Sequence, residues 1–263
     1  MKRLVFVLWL VSAQLFAGVN LPNNTDKLTL SADPLTTTTN FGPWTIISVL
    51  RIPTGGDFTN EKNKFIFSST GASDNAHLAL VLDGASDQLC IRGKGGSSDV
   101  NIVCVTPTAD TWYFAAVGYT SGTWNAYLTP ICQGSIGSVT TVTSPGTVAF
   151  FRFLSVGSSS FIGNGDGQIA YLRAWRDTEL NSTQILAEYN SLTTPAKTSN
   201  PAVFYNFANG ALATDSSSNG LNLDTTNQGS IAFTAGPSSC RHRFIVTSGW
   251  LRPMTEAVAW LFR

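Results

Sequence analysis

Residues 165–191 read GDGQIAYLRAWRDTELNSTQILAEYNS, and a change of period inside this stretch decides how the chain is read. From Gln168 to Trp175 the pattern alternates, with Ile169, Tyr171 and Arg173 set against Ala170, Leu172 and Ala174, the two-residue period of a strand. A polar break follows. Asn181 with Gln184 three residues later is a capping-box variant: the Asn oxygen accepts from a free backbone N–H while Gln184 reaches back to the cap. Ile185, Leu186 and Tyr189 then share a helical face, expected to be buried on the sheet that owns the strand, whereas Glu179 and Glu188 are expected to be solvated. The stretch is a strand handing over to one short docked helix.

Outward from it the chain reads as strands and turns. Residues 111–119 and 123–128 are two apolar-rich runs about Ser121 and Gly122, a hairpin signal. Leu89, Cys90 and Ile91 face Val103, Cys104 and Val105 across a Gly-rich turn at residues 95–98. Placing Cys90 opposite Cys104 pairs Leu89 with Val105 and Ile91 with Val103, a spacing compatible with a disulfide. Cys132 and Cys240 remain, either as a second bond or as two free thiols. Further strand-like runs lie at residues 44–52, 64–68, 77–82, 138–143, 150–156, 202–208 and 231–233. Asp215, Asn219 and Gly220 mark a turn in which Asp caps and Asn-Gly supplies positive φ. Many short runs with turn chemistry between them define an all-β sandwich or barrel. Trp44, Trp112, Trp124 and Trp175 fall inside strand patterns and are assigned to the core, with Tyr119 and Tyr127 ambiguous between core and ligand contact.

The opening residues carry Lys2 and Arg3, an apolar run from residue 4 to residue 10, and small residues at Ser12, Ala13 and Ala17, the layout of a secretory leader. Residues 4–17 fall short of the ~20 apolar residues that a membrane span needs, and no later segment reaches that length. The expected organisation is a leader at 1–17, one domain at 18–237, and a C-terminal tail at 238–263, the product being secreted. That tail carries Arg241, Arg243, Arg252 and Arg263 against Glu256, with an apolar patch at residues 257–262; it is read as packed or unstructured rather than membrane-attached. Charged residues are only 12% of the chain and the formal net charge is zero, so nucleic acid and anionic membranes are excluded as electrostatic partners. The sequons at Asn23 and Asn181 are read as chance matches.

Three segments together resemble a known family. The run Gln168 to Trp175 with its Asn181-capped helix, the hairpin at 111–128, and Phe204, Tyr205, Asn206 and Phe207 followed by the Asp215 turn are similar to concanavalin A-like jelly rolls of the laminin-G and pentraxin type. The resemblance spans residues 28–235. It implies a two-sheet antiparallel jelly-roll β-sandwich with one short helix after a late strand. It also implies a binding module for glycans or surface proteins, often using calcium. Where many relatives carry an acidic pair in the strand before the helix, this chain has Ala170 and Tyr171.

Calcium takes six to eight oxygen ligands. The compact Asp/Asn loops that could contribute are Asp74-Asn75 and Asn164-Gly165-Asp166-Gly167, although each offers few carboxylates and plain turn-forming is the favoured use of both. The candidate ligand contacts are therefore Asp74, Asn75, His77, Asn164 and Asp166, with Asp74 and Asp166 as the candidate calcium ligands, on rim loops at 57–63, 71–76 and 158–166. A zinc site is not expected, since no C-x-x-C spacing occurs and His77 and His242 are isolated. Glycosidases need two carboxylates flanking the bond they cut, and the acids here are scattered singly. Neither histidine lies near a Gly-x-Ser-x-Gly elbow. The sequence therefore predicts a non-catalytic binding module for a glycan or surface protein. The alternative is a structural or adhesive component of a cell surface or virion with no small ligand, and glycoside hydrolysis ranks third.

Overall fold

A computed structural model of the protein describes residues 17–21, 27–29, 43–51, 64–70, 77–83, 87–95, 98–133, 135–143, 153–157, 167–192, 196, 201–207, 214–223, 232–235 and 237. In chain order the strands are β1 (Ala17–Leu21), β2 (Lys27–Thr29), β3 (Trp44–Arg51), β4 (Lys64–Thr70), β5 (His77–Asp83), β6 (Gln88–Gly95) and β7 (Ser98–Val105). They continue as β8 (Trp112–Thr120), β9 (Thr123–Pro130), β10 (Thr140–Thr143), β11 (Phe153–Gly157) and β12 (Gly167–Trp175), then α1 (Ser182–Asn190), β13 (Val203–Asn206) and β14 (Ala232–Ala235).

Among the described residues these strands form two antiparallel sheets, as the sequence predicts. The larger has eight strands, seven in the order β10-β9-β8-β3-β12-β1-β14 with β13 paired to β12 beside them, and the smaller has six in the order β2-β11-β4-β5-β6-β7. β12 pairs with β3 on one side; on the other it pairs with β1 through Gly167, Gln168 and Ile169 and with β13 through Tyr171 to Ala174, so β1 and β13 lie end to end along one edge. Ala17, the last residue of the expected leader, is the first of β1 and stands opposite Ala235.

Both faces of the larger sheet are buried. One packs on the smaller sheet, bringing Trp44, Ile46, Leu50, Val117, Trp124 and Leu172 together with Leu89, Ile91 and Ile102. Trp44, Tyr119 and Trp124 form an aromatic knot there with ring centroids 5.1–5.8 Å apart. The other face carries Ile47, Val49, Phe114, Ala116, Tyr171 and Trp175 beneath Ile185 and Tyr189 of α1. The core assignment of Trp44, Trp112, Trp124 and Trp175 holds: all four are buried.

The predicted hairpins hold register by register. Cys90 stands opposite Cys104, Leu89 opposite Val105 and Ile91 opposite Val103, and the Cys90–Cys104 disulfide is formed. Cys132 is also disulfide-bonded; its expected partner Cys240 lies outside the described residues. The 112–128 hairpin turns at Ser121 and Gly122, both at positive φ. Asp215 is the predicted capping turn: its carboxylate accepts from the backbone N–H groups of Phe204, Ser217 and Leu221 at 2.8–2.9 Å, with Gly220 at φ 65°.

Three expectations on the organising stretch are corrected. The alternation in β12 breaks, because a β-bulge falls between Ile169 and Tyr171. Ile169 therefore shares the inter-sheet face with Leu172 and Ala174, while Ala170, Tyr171 and Trp175 face α1. Leu186 is not in the buried face of α1 but 38% exposed. Its place is taken by Glu188, which is fully buried rather than solvated because it pairs with the equally buried Arg173. The closing strand expected at residues 231–233 is β14, Ala232–Ala235, with residue 231 outside the described residues.

Candidate functional site

The expected site residues are not brought together within the described structure. Asp74, Asn75, Asn164 and Asp166 lie outside the described residues, as do the rim loops at 57–63, 71–76 and 158–166. His77 is the first residue of β5, opposite Thr70. The expected tail at 238–263 is likewise outside them. Among the described residues no group of three or more His, Cys, Asp or Glu side chains could hold a metal ion, so they do not by themselves supply the oxygen set that calcium requires.

A different site is present, at the N-terminal end of α1 on the face of the larger sheet away from its partner. It is a half-open pocket of about 310 Å³. Its floor comes from Gly118 of β8 with Asn125 and Tyr127 of β9, and its walls from Val139 and from residues 179–182 leading into the helix.

Among the described residues Glu179 supplies the pocket's only carboxylate, and it is held from three directions. Thr45, fully buried in β3, donates through Oγ1 to the carbonyl of Thr178 at 3.1 Å and accepts from the N–H of Leu180 at 2.8 Å, fixing the backbone on both sides of Glu179. Asn125 donates through Nδ2 to Glu179 Oε1 at 2.6 Å, and its own Oδ1 accepts from Thr141 Oγ1 at 2.8 Å, which sets the amide the right way round. The third constraint is steric. A Cβ on Gly118 would stand 2.9 Å from Glu179 Cγ and 3.2 Å from Oε1, so the side chain lies over that glycine because there is nothing there to displace it. Among the described residues no further hydrogen bond reaches this carboxylate, and Oε2 is left open.

Tyr127 is the second polar group. It is only 7% exposed and lines the pocket, yet among the described residues its hydroxyl has no hydrogen-bond partner. Burial first, and the neighbouring Glu179 carboxylate second, raise its pKa above the ordinary phenol value. The phenol is therefore a neutral donor and acceptor at physiological pH. The helix entry completes the wall: Asn181 Oδ1 accepts from Gln184 N, and Gln184 Oε1 from Asn181 N, both at 3.0 Å, which is the predicted capping box. Ile185 and Leu180, both buried, and Val139, 45% exposed, supply apolar surface beside these groups. Among the described residues no Lys, Arg or His lines the pocket.

Sequence reasoning missed this site because it is assembled from four separate elements. Glu179 and Asn125 are 54 residues apart. The one available signal was Glu179 next to a predicted helix cap, and it was read as solvated.

The topology defines the class: a two-sheet antiparallel β-sandwich with one helix laid on the outer face of its larger sheet. Solved structures of similar fold include the receptor binding domain of botulinum neurotoxin D, at 12% identity and a TM-score of 0.46 over 67% of this chain and 48% of that one. Mouse laminin alpha1 domains LG4-5 match at 14% identity and a TM-score of 0.42, over 60% of this chain and 41% of that one. The CBM2 module of the evolved Dit of Lactobacillus casei BL23 phage J-1 matches at 18% identity and a TM-score of 0.40, over 60% and 76%. The matched part spans less than half the length of the toxin domain. No family model matches the sequence, and no curated protein matches it.

Proposed function

We propose that the protein is a secreted, non-catalytic binding module whose ligand is a glycan, held in the pocket at the start of α1. The observation that carries this reading is the pairing in one half-open pocket of a fixed carboxylate with an open oxygen and a tyrosine whose hydroxyl, without a partner among the described residues, is open to the cavity. A sugar ring answers this arrangement, since its hydroxyls donate and accept while its C–H faces lie on aromatic and aliphatic surface. The volume is at the lower end of the ~300–1,000 Å³ of small-molecule sites, the scale of one or two sugar residues.

One carboxylate among the described lining residues favours binding over hydrolysis, because both glycosidase mechanisms need a second one placed across the scissile bond. Secretion rests on the leader-like start and on the disulfides, which belong to oxidising compartments. Among the described residues no helix is long and apolar enough to cross a membrane. Calcium ligation by Asp74 and Asp166 on the rim is a separate proposal, checked by melting the protein with calcium and with chelator.

The test of the glycan reading is a thermal melt of the full chain across a glycan panel, repeated on Tyr127→Phe and Glu179→Gln. A ligand that binds only the folded state adds about 2.7 kcal/mol at a hundredfold excess over its Kd. A rise with at least one glycan, reduced in both variants, is expected. A panel without any shift, or shifts that ignore both substitutions, would overturn the assignment.

A further inference from the structure

We infer that the sugar this pocket takes is a neutral N-acetylhexosamine, its acetamido group lodged between Glu179 and the apolar wall. The inference rests on the glycan reading and narrows it.

Three features of the pocket select among sugars. The first is charge. Glu179 faces the cavity with no basic side chain among the described lining residues to balance it, so an anionic sugar would set carboxylate against carboxylate in a half-buried space. Sialic and uronic acids are excluded on that ground. The second is the polarity of the open sites. Glu179 Oε1 is taken up by the Asn125 amide while Oε2 is open, so what the carboxylate still needs is a donor, and an amide N–H is a good one. In the same pocket the Tyr127 hydroxyl, neutral because burial and Glu179 hold its proton on, is open to exchange hydrogen bonds with a ring hydroxyl.

The third feature decides for the acetamido group over a plain hydroxyl. Beside the carboxylate stand Val139, Leu180 and Ile185, and Val139 is one of two large apolar side chains left exposed among the described residues, at 45%. A hydroxyl satisfies Glu179 and leaves this wall wet. An acetamido group satisfies the same oxygen with its N–H and sets its methyl on the wall. Covering that apolar surface with one methyl is worth about fourfold to tenfold in affinity. An unacetylated amino sugar offers a cation to Glu179 but nothing to the apolar wall.

The experiment is isothermal titration of the full chain with the methyl glycosides of N-acetylglucosamine, N-acetylgalactosamine, glucose and glucosamine, and with N-acetylneuraminic acid, alongside saturation-transfer NMR of the bound sugar. At least one N-acetylhexosamine is expected to bind about tenfold tighter than glucose, with the acetyl methyl as the most strongly saturated group. Glu179→Gln, which keeps the shape and an acceptor but loses the charge, is expected to weaken it severalfold and to relax the exclusion of N-acetylneuraminic acid. Val139→Ser is expected to remove most of the preference over glucose while the protein melts normally. Equal binding of glucose, tighter binding of glucosamine, or binding of N-acetylneuraminic acid to the unmodified protein would each overturn the inference. If those sugars still depend on Tyr127 and Glu179, the glycan reading survives it; if no sugar binds at all, both fall together.

Discussion

Replacing Glu188 by alanine tests how the helix is held against the sheet, and therefore how the pocket is built. α1 is nine residues long, with no acid in its first turn and no base in its last, and isolated helices below ~12–15 residues are marginal in water. Its hold on the sheet comes from Ile185, Tyr189 and the buried pair of Glu188 with Arg173 of β12, both side chains fully excluded from solvent. Arg173 Nη1 donates to Glu188 Oε2, and the guanidinium also reaches the carbonyls of Ser191 and Leu192 at 3.2–3.3 Å. The faces of Tyr171 and Phe204 lie 4.3 and 4.7 Å from it. Alanine at 188 leaves that cation with two long carbonyl contacts and two ring faces but no counter-charge. Removing one partner of a buried pair costs about 3–5 kcal/mol, a fifth or more of the ~5–15 kcal/mol that a domain has in total. Urea unfolding followed by tryptophan fluorescence should show the unfolding free energy falling by that amount, as a lower midpoint with the slope unchanged. The double change Arg173→Met with Glu188→Leu separates pairing from packing, because an apolar pair of similar volume is neutral or stabilising; it should recover most of the loss. A single variant losing less than about 1 kcal/mol, or a double variant as unstable as the single one, would refute the claim that the ion pair anchors the helix.

Four further outcomes follow from the same structure. Gly118→Ala should lower glycan affinity severalfold or more with a small change in melting, because its Cβ meets Glu179 Cγ at 2.9 Å and must push the carboxylate out of line; unchanged affinity would mean that Glu179 does not need its present position. Asp215→Ala should cost on the order of 3 kcal/mol in urea unfolding, since it strips the acceptor from the N–H groups of Phe204, Ser217 and Leu221 in a largely buried turn. Loss of the Cys90–Cys104 bond, whose cysteines are 14 residues apart, should cost about 3 kcal/mol by chain entropy, read as the difference between Cys90→Ala/Cys104→Ala and the parent protein. Tyr171 and Tyr205 have pKa values raised above the ordinary phenol value of 10.0, by burial first in each case. The folded state therefore keeps protons that the unfolded state releases, and the stability they confer is present below pH ~10 and is lost as pH rises beyond it. Tyr171→Phe should flatten that alkaline loss with little cost at neutral pH, its hydroxyl having no partner among the described residues; a variant that keeps the full slope would argue against it.

What the sequence disclosed and what it hid divide along a physical line. The register of Cys90 with Cys104, the Ser121-Gly122 turn, the Asn181 box and the Asp215 turn are all local: each is settled by residues within about 14 positions of one another, and alternation and turn chemistry carry that information. The bulge in β12 is also local in position, but no residue type announces it. Ala170 is an ordinary strand residue, and the extra residue is accommodated because Ile169 and Leu172 both gain by facing the inter-sheet core. Once that slip occurs, Tyr171 and Arg173 turn to the helix side together, and a charge lands in a buried place. Glu188 is buried for that reason and no other. On a helical wheel it is an acid beside Tyr189, and its environment is set by Arg173 fifteen residues earlier on another element.

The pocket follows from the same displacement of charge. With the centre of the α1-facing side closed by Arg173 and Glu188, the segment from β12 to α1 must cross the end of β3, where Thr45 grips Thr178 and Leu180. Glu179, between those two anchors, is thereby set over Gly118 and within reach of Asn125. A single carboxylate is thus left beside an apolar wall by the way the helix is tied down, and any ligand that uses it should respond to the anchors as well as to the contacts. Thr45→Val keeps the β-branched shape and removes both hydrogen bonds, so it should loosen Glu179 and weaken glycan binding without touching a pocket-lining residue. Titration of that variant separates a site positioned by its support from one that needs only its lining: undiminished affinity would show that the carboxylate holds its place unaided.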